Sequence, residues 1–184
     1  NYNIIVVDQA LKGRSSVTFT NTNVLRNGES RDANVSAIDF NLFDKTNTYN
    51  IKGSGKYSKI FSTNGYDGYN ATLRVGKVSG PWQYNVQGNV KSANYDPRDF
   101  GFLQNANEVL LTSSIAYKVF KPTKKFINQT YAFTNRLSRF YKPGAHGYFN
   151  PTVSAFVIFK NFWDVSLSLG YFGTQNDYFV LGNP

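Results

Sequence analysis

The chain has 184 residues, enough for one sizeable domain; 17% are aromatic, 17% are charged, and the net charge is +9. It has no cysteine, which excludes a disulfide framework and a thiolate metal site. No run of about 18 apolar residues occurs, which excludes a transmembrane helix.

The first 11 residues read as a strand, too continuously apolar through Ile4, Ile5, Val6 and Val7 to assign a face. A short turn at 12–14 leads into residues 15–25, where Val17 and Phe19 alternate with Ser16, Thr18 and Thr20. A polar loop at 26–32 holds Asn27 and Gly28, a turn signal. Residues 33–43 set Ile38, Phe40 and Leu42 against Asp39 and Asn41, and 44–47 is a second short turn. In 48–61, Tyr49, Ile51 and Tyr57 oppose Asn50, Lys52, Ser54 and Lys56, with Gly53 and Gly55 on the apolar side, where glycine marks bending or close packing. After a loop at 62–67, residues 68–79 oppose Tyr69, Ala71, Leu73 and Val75 to Asn70, Thr72, Arg74 and Gly76.

The clearest pattern follows. From Trp82 to Lys91, Trp82, Tyr84, Val86, Gly88 and Val90 alternate with Gln83, Asn85, Gln87, Asn89 and Lys91. A strand sends successive side chains to opposite faces, so this segment has one apolar and one polar face. A long loop carries Asp96, Arg98 and Asp99; residues 109–119 then alternate again. A basic turn at 121–125 precedes a strand at 126–140 with less clean parity. A Pro-Gly loop at 141–147, a strand at 148–159, a tight turn at 160–161 and a strand at 162–172 follow. In that last strand Trp163, Val165, Leu167, Leu169 and Tyr171 oppose Asp164, Ser166, Ser168 and Gly170. Residues 173–184 read as loop, or as the start of another strand.

About ten strands of roughly 10 to 13 residues, joined by alternating short turns and longer loops, predict an all-β, antiparallel up-and-down transmembrane β-barrel. The mean hydropathy of −0.40 is a weak objection, because a barrel exposes only alternate residues to lipid. Trp82 and Tyr84 near one end of a strand, and Trp163 and Tyr171 at the two ends of another, fit aromatic girdles facing lipid. A soluble β-sheet module that binds anionic glycans or other polyanions is the alternative.

Several runs resemble one family. They are Ser-Val-Thr-Phe-Thr-Asn-Thr-Asn-Val at 16–24, Arg-Asp-Ala-Asn-Val at 31–35, Asp-Phe-Asn-Leu-Phe-Asp-Lys at 39–45 and Asn-Thr-Tyr at 47–49. Asp-Phe-Gly-Phe-Leu at 99–103, Phe-Lys-Pro-Thr at 120–123 and Phe-Lys-Asn-Phe-Trp at 159–163 belong with them. Together they resemble outer-membrane β-barrels of the Bacteroidota, a family of unknown function whose members carry an N-terminal domain resembling a carbohydrate-binding module. The resemblance implies a single barrel segment over residues 1–184, from the middle of a larger barrel, in the bacterial outer membrane. The implied partners are outer-membrane lipid, lipopolysaccharide and other outer-membrane proteins, without nucleic acid. The absence of methionine, position 1 included, of a cleavable leader, and of an aromatic-ending final strand at 181–184 agrees with a segment.

No catalytic set is expected. His146 is the only histidine and reads as a solvated loop residue; a metal site needs several converging ligands. Asp96 and Asp99 straddle a proline turn, where a turn role or an ion pair with Arg98 is a better reading than calcium. No cofactor or metal is expected, and no enzyme. The informative face is the polar one: Lys52, Lys56, Arg74, Lys91, Lys118 and Arg136, with Asp39 and Asp164. In a closed barrel these line the lumen, either biasing permeation or filling it with a salt-bridge and amide network. The corresponding function is a pore or transport protein, or a barrel anchor for a glycan-binding-like or partner domain.

Overall fold

The structure is a computed structural model and describes residues 1–28, 30–101 and 106–176. Ten strands form one antiparallel sheet in strict chain order. They are β1 (Tyr2–Ala10), β2 (Ser16–Val24), β3 (Asp32–Phe43), β4 (Tyr49–Phe61), β5 (Tyr66–Lys77), β6 (Trp82–Lys91), β7 (Glu108–Val119), β8 (Phe126–Phe140), β9 (His146–Phe159) and β10 (Asp164–Gly170). No helix occurs among the described residues, and every connection joins neighbouring strands.

The strands form where side chains alternate, and they stop at the turn residues. Gly13, Gly28, Gly80 and Gly144 hold positive φ in four of the connections, a conformation that costs glycine nothing. At the β3–β4 turn Asp44 does the capping. Its Oδ1 accepts from the backbone N–H of Thr48 at 2.6 Å and of Tyr49 at 2.8 Å, and its Oδ2 accepts from the Thr46 hydroxyl.

The strands differ from the sequence reading most clearly in β5, β9 and β10. β5 begins at Tyr66, inside the expected loop, because its ladder to β4 runs on to Ile60. β9 begins at His146, so this histidine is the exposed first residue of a strand rather than a loop residue. β10 is shorter than expected, leaving Trp163 and Tyr171 just outside it. The blurred parity of β8 has a local cause: register shifts lie between Phe126 and Asn128 and between Ser138 and Arg139. The expected loop or strand over 177–184 lies outside the described residues.

The sheet is not closed. β1 pairs with β2 alone and β10 with β9 alone, so no ladder joins first strand to last among the described residues. Strands touch only their ladder neighbours, so no second sheet stacks on this one among the described residues.

Registers fix the two faces. On one side a row runs Val17, Phe40, Gly53, Leu73, Gly88, Leu111, Leu137 and Phe149 across β2 to β9. On the other a row runs Ser16, Asn41, Lys52, Arg74, Gln87, Thr112, Arg136 and Asn150. The apolar row belongs to the exposed side: Leu73 is 52% exposed, Val86 52% and Leu167 56%. Asn70, Thr72 and Arg74, which alternate with these along β5, are half-buried. Exposed apolar and half-buried polar side chains together fit a sheet curled toward its polar face. At Gly53 the expected close packing is present: the Phe40 ring lies across it, and a Cβ there would stand 2.2 Å from Phe40 Cζ.

Among the described residues the buried apolar core is small and sits on the polar side at one end. Val24, Ala33 and Ile60 are cross-strand neighbours there, each at most 2% exposed. Tyr95, from the β6–β7 connection, is buried as well.

Candidate functional site

The site consists of the polar face and the chain segment laid across its end. By register, Lys52, Lys56, Arg74, Lys91, Lys118, Arg136, Asp39 and Asp164 fall on one face of the sheet. Asp39 is opposite Ser54, Lys52 opposite Arg74, and Lys56 opposite Asn70. Lys91 is opposite Glu108, Arg136 opposite Thr112, Lys118 opposite Thr130, and Asp164 opposite Ile158. Trp82 and Tyr84 lie on the other side within β6, Trp163 and Tyr171 flank β10, and all four are exposed. Trp82 and Tyr117 meet across the ladder with ring centroids 4.9 Å apart. At the opposite end of the apolar face Tyr69 and Tyr141 join hydroxyls at 2.8 Å.

Part of the polar face is an internal network. Asn89 donates to Asn70 Oδ1 at 2.7 Å and to Thr72 Oγ1 at 2.5 Å; Asn50 donates to Asn41 Oδ1 at 2.8 Å. Asn85 donates to Ser114 at 2.6 Å. Lys91 Nζ reaches Glu108 Oε2 at 3.1 Å, and Ser138 donates to the other Glu108 oxygen at 3.1 Å. Lys52, Lys56, Arg74, Lys118 and Arg136 take no part in the ion pairs among the described residues.

The β6–β7 connection does not project away from the sheet. It folds back over the polar face of β4 and β5. The Asp96 N–H donates to Ser58 Oγ at 3.0 Å, and both residues are buried. The Asp96 carboxylate accepts from Tyr66 Oη at 2.7 Å and from Arg98 Nε at 2.8 Å. Farther along, Asp99 Oδ1 lies 2.7 Å from Arg26 Nη2, and Asp99 Oδ2 lies 2.8 Å from Arg31 Nη2. The second contact is an ion pair by proximity, since that oxygen accepts no well-aligned hydrogen bond. The segment is thereby tied to the β2–β3 loop, some seventy residues earlier. At its far end Asn107 ties it to the β8–β9 turn, donating to the Lys142 carbonyl at 2.8 Å and accepting from the Lys142 N–H at 2.9 Å.

The electrostatics follow from these contacts. Burial pushes the Asp96 carboxyl up, but the Arg98 side chain, the Tyr66 hydroxyl and the Arg98 N–H outweigh it, holding the carboxyl well below the usual range. Burial lowers Arg31, and Asp99, Tyr66 and Asp96 more than reverse that. Arg98 is raised by its hydrogen bond to Asp96. The expected Asp96–Arg98 pair is present; the reach of Asp96 to Ser58 and Tyr66, and of Asp99 to Arg26 and Arg31, was not read from the sequence. The available signal did not single out the contact: Gly68 and Gly76 are both polar-side glycines of β5, and only Gly68 stands against the segment. Among the described residues no group of three acidic or histidine side chains is placed to hold a metal.

No curated protein and no solved structure matches this chain. A family model described as "Domain of unknown function (DUF5916)" matches residues 1–182. The chain, whose described residues form an antiparallel ten-stranded meander, belongs to this family.

Proposed function

We propose that this chain is part of a transmembrane β-barrel of the bacterial outer membrane, with its apolar face in lipid and its polar face lining an aqueous lumen. One observation carries the reading: the two faces have reversed exposure. In β5, β6 and β7 most large apolar side chains stand in the open while the amides and charges between them are half-covered or buried. A soluble sheet does the opposite, placing its apolar face against a second layer. An exposed apolar surface of this extent marks an interaction with lipid or protein.

The aromatic spacing supports the lipid assignment. Tyr49 and Tyr57 bracket the apolar face of β4, and Trp163 and Tyr171 bracket that of β10 at the same interval. At about 3.3 Å per residue this is roughly 26 Å along the strand, close to the height of a barrel's apolar band. The unpaired edges of β1 and β10 would leave backbone groups unsatisfied in lipid at several kcal/mol each, so they pair with further strands or with each other. A role as a pore or as an anchor for a partner domain accommodates the charged polar face, and the resemblance to Bacteroidota barrels agrees with it.

The test compares two neighbouring positions on β10. Leu167→Arg puts a charge on the apolar face and should cost about 2–4 kcal/mol in folding into lipid vesicles; Ser168→Arg should cost much less. Equal tolerance at the two positions contradicts the membrane reading and favours a polyanion-binding soluble sheet.

A further inference from the structure

Three unpaired cations of the polar face converge on one hollow. Lys52 and Arg74 are direct partners across β4 and β5, and Lys56 follows Lys52 on the same face beyond Ser54. With Asp39, Asn70, Thr72 and Gln87 they wall a space of about 290 Å³. Directly opposed side chains on one face have Cβ atoms about 4.5–5.5 Å apart, and like charges so placed repel. Asp39 is the only carboxylate in the lining. The Ser54 hydroxyl also lines the hollow; it is shut off from solvent and has no hydrogen-bond partner.

We infer that this hollow is a binding site for a small oxyanion, the carboxylate or phosphate group of an acidic solute. The Arg74 guanidinium supplies a planar fork suited to two oxygens, and Lys52 and Lys56 supply point charges. Ser54 and the Gln87 amide supply neutral donors for the remaining lone pairs. An oxyanion there removes the Lys52–Arg74 repulsion and gives Ser54 the partner it lacks. The β6–β7 segment bears on the site from one side, since the Tyr95 side chain reaches the neighbourhood of Asn70, part of the wall. The inference rests on the polar face alone and holds whether that face lines a membrane pore or a soluble module.

The experiment is calorimetric titration of the detergent-purified, full-length protein containing this chain with inorganic phosphate and, separately, with acetate. Sodium chloride holds the ionic strength constant. The site predicts saturable binding of at least one of the two, weakened about tenfold or more by Lys52→Gln and by Arg74→Gln. Lys118→Gln, on the same face but outside the hollow, should bind as the parent does. Arg74→Gln should melt no lower than the parent in phosphate-free buffer, because it relieves an opposed like-charge pair; this separates lost binding from lost folding. Heats indistinguishable from those of chloride, binding unchanged in both hollow variants, or a lower melting temperature for Arg74→Gln without phosphate would overturn the inference.

Discussion

Gly68 and Tyr95 are in backbone contact: a Cβ on Gly68 would stand 2.3 Å from the Tyr95 nitrogen and 2.5 Å from its Cα. Neither atom belongs to a flexible side chain that can turn aside. The contact sets how closely the β6–β7 segment can approach the sheet, and hence the burial of Tyr95 and Asp96.

Gly68→Ala should therefore lift the segment off β5. Overpacking of this kind costs about 1–3 kcal/mol. Hydrogen exchange should show faster exchange at Tyr95 and Asp96 with the β4–β5 ladder still protected. Gly88→Ala is the control, because a Cβ there meets nothing within 4 Å. Unchanged protection of the segment in Gly68→Ala would show that the approach is not set by this glycine.

Asp96 should hold the segment in a pH-dependent way. Its folded carboxyl lies below the ordinary value near 3.9, so its contribution is fully present above about pH 4 and fades as pH falls through the depressed value. Protection of the segment should thus survive at pH 4 and decline only in stronger acid. Asp96→Asn should remove that acid dependence and cost about 1–3 kcal/mol, since it leaves the Tyr66 hydroxyl and the Arg98 guanidinium with a weaker partner. A decline between pH 5 and 7 would point to another group.

The strands and their facing were legible in the sequence because both depend on a period of two, which holds over five or more residues in β3 to β7, β9 and β10. The limits were less so. His146 and Tyr66 extend strands past the last clean alternation, since a ladder bond needs only backbone. The lining of the polar face could be read; the segment across it could not. Asp99 meets Arg26 and Arg31 through the chain's return by way of four strands, and no local pattern encodes such a contact. Lys91 looked like its fellow lysines until the register placed Glu108 opposite it.

The β3–β4 turn offers a check on local geometry. The Thr46 hydroxyl, then the Tyr49 N–H, with smaller help from the N–H groups of Thr48 and Thr46, hold the exposed Asp44 carboxyl down to about 2. Carbon-13 titration of this carboxyl should find it ionised at pH 3. A midpoint near the ordinary 3.9 would mean the capped turn is not formed in solution.

The most direct measurement concerns which residues meet lipid. The chain has no cysteine, so single cysteines along β5 at positions 69 to 75 report without background from this segment. Nitroxide labels on them, in the protein reconstituted into bilayers, can be read against oxygen, which concentrates in hydrocarbon, and against a water-soluble nickel chelate. The account predicts a period of two: Tyr69, Ala71, Leu73 and Val75 accessible to oxygen, Asn70, Thr72 and Arg74 to the chelate. Strong chelate access at Leu73 and Val75, or no alternation at all, would contradict it.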